Sequence, residues 1–302
     1  MKYQLSSADR RPAPPKYASE PRYLGYRSED ETRPFAPFFE PRVAPVQSHV
    51  VEALAYGRFP AEFGYTVEDA ARRMSAPGYE SMETGYCELE GGRIQVSVLT
   101  RMPGVRAEMW DWWFGWHGTD TARYKLWHPE AHYFSAVGED RTADRTLSDR
   151  QRYIGNVSYV DEYLGADKSQ LTVRFLEPTK LGFEESRSGS TVIAARGGLS
   201  PAPVAFAWLI HQLRPTEEGC EMRSRFFVND TELLRLPPAS LTSKEGAFLT
   251  TPVGRAVGPS LLKSRAAKAD HFGPAMVMHC AQEMNHLARF LPALHEAFVG
   301  TP

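Results

Sequence analysis

One feature of this 302-residue chain restricts its fold more than any other. Six segments of strand character, RYKLWHP, YIGNVSYVDEY, QLTVRFLEP, STVIAARG, VAFAWLIHQLRP and CEMRSRFFV, succeed one another, with turn residues separating most of them. No helical period intervenes, so the segments predict an antiparallel sheet. The chain then closes on a long helix over about residues 272–299. There Phe272, Met276, His279, Cys280, Glu283, Met284, Leu287, Phe290, Leu291 and Leu294 recur at helical spacing, and Pro292 should bend the helix. A strongly curved antiparallel sheet closed by a long C-terminal helix is an α+β arrangement, and the groove between the two is a natural ligand cavity.

The N-terminal part carries further signals. Residues 1–45 hold eight prolines and little periodicity, which favours extended chain. They read as an arm over the surface of the domain or of a partner subunit in a homodimer, with a disordered tail as the alternative. Length alone gives a prior of about two domains, though a single larger one is also common; the expectation is an arm (1–45) and one domain (46–302). VQSHVVEALAYG predicts a helix stopped by Gly57, and Thr66-Val67-Glu68-Asp69 a capping box opening a second one that Pro77-Gly78 closes. GYCELE, Gly91-Gly92 and RIQVSVLTR read as a hairpin with a primed turn and Ile94, Val96 and Val98 on one face. AEMWDWWFGWHG predicts a short aromatic helix ending at Gly118, its tryptophans packing rather than reacting. Residues 230–268 look like a long lid or crossing loop in which short helices could hide.

Composition excludes several classes. A formal net charge of -2 creates no field that would gather nucleic acid or an anionic membrane. No apolar run approaches the roughly 18 residues that span a bilayer, and MKYQLSSADRRPAPP lacks the apolar centre of a signal peptide, so a cytoplasmic location is expected. Cys87, Cys220 and Cys280 form no CxxC pair and read as buried small hydrophobes.

Three clusters could carry chemistry. His279-Cys280-Ala281-Gln282-Glu283 places an imidazole and a carboxylate at i and i+4, one above the other on the helix stripe that faces the core. A buried carboxylate is costly unless paired or metal-bound. The pair is therefore a candidate metal site or a buried hydrogen-bonded pair, with His286 as a rival ligand on nearly the same face. His128-Pro129-Glu130-Ala131-His132 follows a strand segment and begins a loop; taken alone it is two solvent-exposed histidines. Asp161 and Glu162 are adjacent in a strand, so one can face the cavity while the other meets solvent.

Four motifs in order, WDWWFGWHG, RYKLWHPEAH, the internal Glu of YVDEY and MHCAQEMNHLA, resemble the phloretin hydrolase and diacetylphloroglucinol hydrolase family from about residue 80 to the C-terminus. The resemblance implies a Bet v 1-like, helix-grip fold and one Zn2+ per chain held by two His and two Glu. Carried over by position, the ligands are His132, Glu162, His279 and Glu283, with His128 as the alternative first ligand. It also implies that Tyr124 bonds the substrate. The residue three after the ligand His is Asn in the diacetylphloroglucinol enzyme; here it is Ser135, which reaches less far. On weaker alignment, Asp140 and His211 are further catalytic or pocket residues. Outside the resemblance these read as a sheet aromatic (Tyr124), a loop acid (Asp140) and an inward strand residue (His211).

The implied reaction is hydrolysis of the carbon–carbon bond between an acyl carbonyl and a polyhydroxylated ring, acting on a small polyphenolic ketone. Two neutral imidazoles and two carboxylates suit zinc, and also iron(II) or manganese(II). The competing readings are a non-catalytic helix-grip module for an aromatic ligand and a mononuclear iron oxygenase, which would consume O2.

Overall fold

The computed structural model describes residues 1–185, 189–263 and 266–302. Two short helices, α1 (Pro15–Ser19) and α2 (Ser28–Glu31), interrupt the proline-rich N-terminus; α3 (Ser48–Tyr56) and α4 (Val67–Ser75) follow. The hairpin β1 (Gly85–Leu89) and β2 (Arg93–Pro103) leads into α5 (Ala107–Trp116), α6 (Thr121–Trp127), β3 (His132–Val137) and α7 (Asp149–Tyr153). Five strands come next: β4 (Val157–Leu164), β5 (Asp167–Leu176), β6 (Thr191–Leu199), β7 (Val204–Thr216) and β8 (Gly219–Leu233). The chain ends in α8 (Lys244–Phe248), α9 (Pro252–Lys263), α10 (Ala269–Ala288) and α11 (Leu291–Phe298).

The eight strands form one antiparallel sheet in the order β1-β2-β8-β7-β6-β5-β4-β3. Register shifts between His132 and Phe134, Gly197 and Gly198, and Ala205 and Ala207 bend it. The inner face wraps α10, which packs on β1, β2 and β4, and also receives α5. This is the expected α+β helix-grip arrangement. Alternation along the strands sorts the core cleanly. Ile94, Val96, Val98, Phe226 and Val228 join the inner core, whereas Trp208, Ile210 and Phe227 join an outer core under α4.

Local chemistry accounts for most boundaries. Gly57 ends α3 at φ 87, and Gly91 and Gly92, at φ 76 and 75, supply the positive φ that turns β1 into β2. α4 begins where expected, but the capping box does not form. Thr66 makes no side-chain cap bond, and Asp69, the acid of the box, instead accepts from Arg72 Nη2 at 2.7 Å.

Three further expectations are corrected. RYKLWHP is not a strand. Asp120 caps it as helix α6, its carboxylate accepting from Ala122 N at 2.8 Å. The segment is too short for periodicity to separate strand from helix. His132 accordingly begins strand β3 rather than lying in a loop. The terminal helix is broken rather than bent. α10 stops at Ala288, Phe290 leaves helical geometry (φ -124, ψ -3), and α11 restarts with Pro292 in its first turn, where a missing N–H costs nothing. The 230–268 stretch contains α8 and α9 and the end of β8; its residues 264–265 lie outside the described residues.

The N-terminal residues lie over the outer face of the β4 end of the sheet. Arg22 Nε donates to Asp161 Oδ2 at 3.0 Å, and Arg174 Nε donates to Asp9 Oδ1 at 2.8 Å. Asp161 is thus buried beneath Arg22 and Tyr17, not turned to solvent as the strand pattern suggested.

Candidate metal centre and cavity

α10 buries Val277, Cys280, Met284 and Leu287 completely. Full burial of a Val, Leu or Met side chain contributes roughly 1.5–3 kcal/mol. Together these side chains seat the helix firmly enough to carry two polar residues into the interior. His279 and Glu283, one turn apart on the same stripe, are dragged in with them and are 4% and 6% exposed. The sheet supplies the opposing pair. His132 on β3 and Glu162 on β4 are direct cross-strand partners, so the pleat aims both at α10.

The four side chains converge. His132 Nε2 lies 3.6 Å from Glu162 Oε2 and 3.5 Å from Glu283 Oε2. His279 Nε2 lies 3.9 Å from Glu162 Oε1 and 3.8 Å from Glu283 Oε2. Ligand atoms of His132, His279 and Glu283 all lie within 4.8 Å of one another, a grouping able to hold a metal ion. His132 Nδ1 donates to the Tyr124 carbonyl at 3.1 Å, which fixes the tautomer that leaves a lone pair on Nε2. That Nε2 is buried and has no hydrogen-bond partner among the described residues. The His279 ring bonds the backbone of Tyr163. Each imidazole is oriented from behind, as metal-binding histidines are.

Electrostatics point the same way. Burial pushes Glu162 up to about 7, against the lowering effect of the Tyr124 hydroxyl that donates to it. Burial, then the Glu162 charge, holds Glu283 well above the usual carboxylate range. Burial lowers His279 to about 4 and His132 well below its ordinary value. Two carboxylates that resist ionisation beside two imidazoles that resist protonation lack a cation, which a divalent ion would supply.

Above the cluster is a cavity of about 120 Å³. Its walls are Phe114, Trp127, Phe175, Phe206, Leu209, Phe226, Phe272 and Met276, and its polar groups include Tyr124, His211, His117, Ser158 and Thr172. The Tyr124 ring stacks on His132 at 3.8 Å between centroids and 3° between planes. His211, fully buried on β7, is tied through Nδ1 to Ser224 Oγ at 2.7 Å.

The remaining candidates are placed elsewhere. His128 stacks on His279 at 5.0 Å, but its Nε2 lies 3.3 Å from Gln282 Oε1 rather than in the cluster. His286 faces the N-terminal segment, its Nδ1 accepting from Ala44 N at 3.1 Å. Ser135 does not line the cavity; its Oγ donates to the Gly118 carbonyl at 2.8 Å. Asp140 lies in the loop after β3, where its carboxylate accepts from Thr142 N and Oγ1, and it lines no part of the cavity. His117 was missed. It follows the aromatic helix, where a histidine among tryptophans carries no ligand spacing, and only the three-dimensional wall shows its role.

These positions differ for the two histidines between which the spacing to Glu162 favoured His132. His132→Ala should remove most metal, because it deletes an Nε2 aimed at both carboxylates. His128→Ala should keep it, losing only a ring that buttresses His279. Metal content of the two purified variants checks this, and loss confined to the His128 variant would reverse the assignment.

Fold and cluster together define a helix-grip protein with an enclosed candidate metal centre beneath an aromatic cavity. Residues 65–296 match the model of the DAPG hydrolase PhiG domain. The chain belongs to that family and is an enzyme, a hydrolase. It is 28% identical over 292 residues to the 2,4-diacetylphloroglucinol hydrolase of Pseudomonas protegens, covering 93% of this chain and 89% of that one. It is 29% identical over 212 residues to the phloretin hydrolase of Eubacterium ramulus, covering 68% and 76%. Among solved structures, it overlaps Ara h 8.0201 at 8% identity, covering 65% of this chain and 99% of that one, with a TM-score of 0.28. Norcoclaurine synthase from Thalictrum flavum overlaps at 12% identity, covering 69% and 92%, with a TM-score of 0.27. Among the described residues, no helix is long and apolar enough to cross a membrane.

Proposed function

We propose that this protein is a zinc-dependent hydrolase of the carbon–carbon bond between an acyl carbonyl and a polyhydroxylated aromatic ring, of the acylphloroglucinol or phloretin type. The products are a carboxylic acid and the deacylated phenol. The observation that carries the reading is the convergence of His132, Glu162, His279 and Glu283 at the floor of an aromatic cavity, in a chain related to two hydrolases of such ketones. We further assign residues 46–302 to one catalytic domain and residues 1–45 to an arm lying on it.

His132, Glu162, His279 and Glu283 would hold the ion, and the set fits a hard or borderline divalent metal of zinc type. When bound, that ion supplies Lewis acidity, polarising a carbonyl and acidifying water. The chain's own groups do the rest. The aromatic walls hold a flat ring and exclude bulk water. The Tyr124 hydroxyl, beside Glu162, orients oxygen atoms at the cluster. His211, kept neutral by burial that lowers it to about 3, lines the same cavity and would move the ring proton. Protonation of the acyl-bearing ring carbon converts a poor carbanion leaving group into a neutral ring. Addition of water to the acyl carbon then completes the balance, ketone plus water giving acid plus phenol.

The test joins metal analysis of the purified protein to a screen of acylphloroglucinols and dihydrochalcones. About one zinc per chain and release of a free acid without O2 consumption are expected. A metal-free protein that binds but never cleaves these ketones would support the binding-module reading, and O2-dependent cleavage the oxygenase.

A further inference from the structure

The His117 imidazole is 5% exposed and stands in the cavity wall. Its Nδ1 is 2.7 Å from the carbonyl oxygen of Trp113. A carbonyl can only accept, so the ring donates there and Nδ1 carries the proton. A neutral ring with that tautomer has a bare lone pair on Nε2. Burial lowers the ring to about 4, with the Arg123 charge acting in the same direction, so the neutral form persists at ordinary pH. Among the described residues the ring's one hydrogen bond is that at Nδ1, and the ring lines the cavity. The edge bearing Nδ1 is turned back to its own helix, so the far edge is the one presented to the cavity.

The ring plane is held as firmly as the tautomer. His117 stacks on Trp113 at 4.7 Å and 15°, and on Tyr124 at 5.8 Å and 19°. Tyr124 in turn stacks on His132. Trp113, His117, Tyr124 and His132 are therefore successive near-parallel rings running from the aromatic helix to the cluster. Within this stack the pre-oriented acceptor stands two rings from His132, at a fixed distance from the candidate metal centre. Tyr124 donates its own proton to Glu162 and does not compete for the same ligand atom.

We propose that His117 is a specificity-determining residue whose Nε2 accepts a hydrogen bond from a ring hydroxyl of the substrate. The inference rests on the substrate class given above and deepens it. A free phenol places an O–H against the lone pair. An aryl ether or a carbonyl oxygen at the same place sets lone pair against lone pair and shuts that nitrogen off from any donor.

The experiment measures binding rather than turnover. The probes are 2,4,6-trihydroxyacetophenone and its tri-O-methyl ether, titrated by calorimetry into the metal-containing enzyme. His117→Phe keeps a flat ring between Trp113 and Tyr124 but removes the acceptor. It should bind the trihydroxy probe about tenfold or more weaker than the parent and the ether within roughly twofold. Equal losses for both probes, or no loss for either, overturn the proposal. The parent protein gives an independent reading that no folding failure can obscure. Its 15N NMR spectrum should show His117 protonated on Nδ1, with an Nε2 resonance that shifts on adding the trihydroxy probe. A proton on Nε2 in the free protein overturns the assignment. If the parent binds neither probe, the substrate reading falls and this inference with it. If the parent binds both but discriminates no more than the variant, only the role of His117 falls.

Discussion

Glu283→Gln should leave the metal-free protein more stable than the parent while stripping it of metal and activity. The two effects have opposite signs because the carboxylate is costly without an ion and needed with one. Burial raises Glu283 well above its unfolded value of 4.5, and Glu162 beside it to about 7. A carboxyl whose folded pKa is raised contributes stability that is fully present below about 4.5 and is lost as pH rises through the folded pKa. For Glu162 that loss is on the order of 3 kcal/mol once pH passes about 7. A glutamine cannot ionise, so the advantage of Glu283→Gln in the metal-free state should be small near pH 4.5 and grow towards neutrality. The same substitution replaces a charged ligand with a weak neutral one. Changes merely behind a metal ligand cost 10- to 100-fold, so loss of a ligand should reduce activity by more than about 100-fold. His279→Ala should behave alike in metal and activity while leaving the sheet folded. Thermal melts of chelator-treated protein at several pH values, with metal analysis, test all of this. Full zinc occupancy in both variants would remove the cluster as the metal centre.

Methylating the ring hydroxyls of the substrate should slow cleavage by about 10³-fold or more, well beyond any change in binding. Positioned acid–base catalysis is worth roughly 10²- to 10⁴-fold, and it can act on the ring only if a hydroxyl becomes a keto group as the acyl-bearing carbon takes its proton. The ether blocks that tautomer whether or not it fits among Phe114, Phe175 and Phe226. In labelled water, one 18O should enter the acid and none the phenol, and deuterium should appear on the carbon that carried the acyl group. Equal turnover of fully methylated and free ketones would sink the mechanism.

How legible the site was depended on the range of the signal. The i, i+4 pair His279 and Glu283 could be read because a helix fixes which residues share a face, and a carboxylate in an apolar stripe needs a reason to be there. Glu162 could be read as one of two faces of a strand, but not which face was inward. The fold class followed from the succession of strands. Within the resemblance, the spacing to Glu162 favoured His132 over His128. The structure turns His132 Nε2 to both carboxylates, and α6, just before it, went unread because a seven-residue segment fits either period. The same error hid the stacking of Tyr124 on His132. Asp161 was misplaced for another reason: no local pattern announces that Arg22, 139 residues away, will cover it.

The stacked rings have an optical consequence. Trp112 lies against Trp116 at 4.9 Å, and Trp127 lies about 6 Å from both Trp110 and Trp113. Emitters this close share their excitation, so five of the six tryptophans should glow as one unit rather than as five. Trp127 is also 5.6 Å from His132, which couples that unit to whatever occupies the cluster. Trp208 stands apart in the outer core, its indole donating to Asp230. A quenching ion or a coloured phenol in the cavity should therefore darken most of the protein's fluorescence and leave the light of Trp208 as a built-in reference.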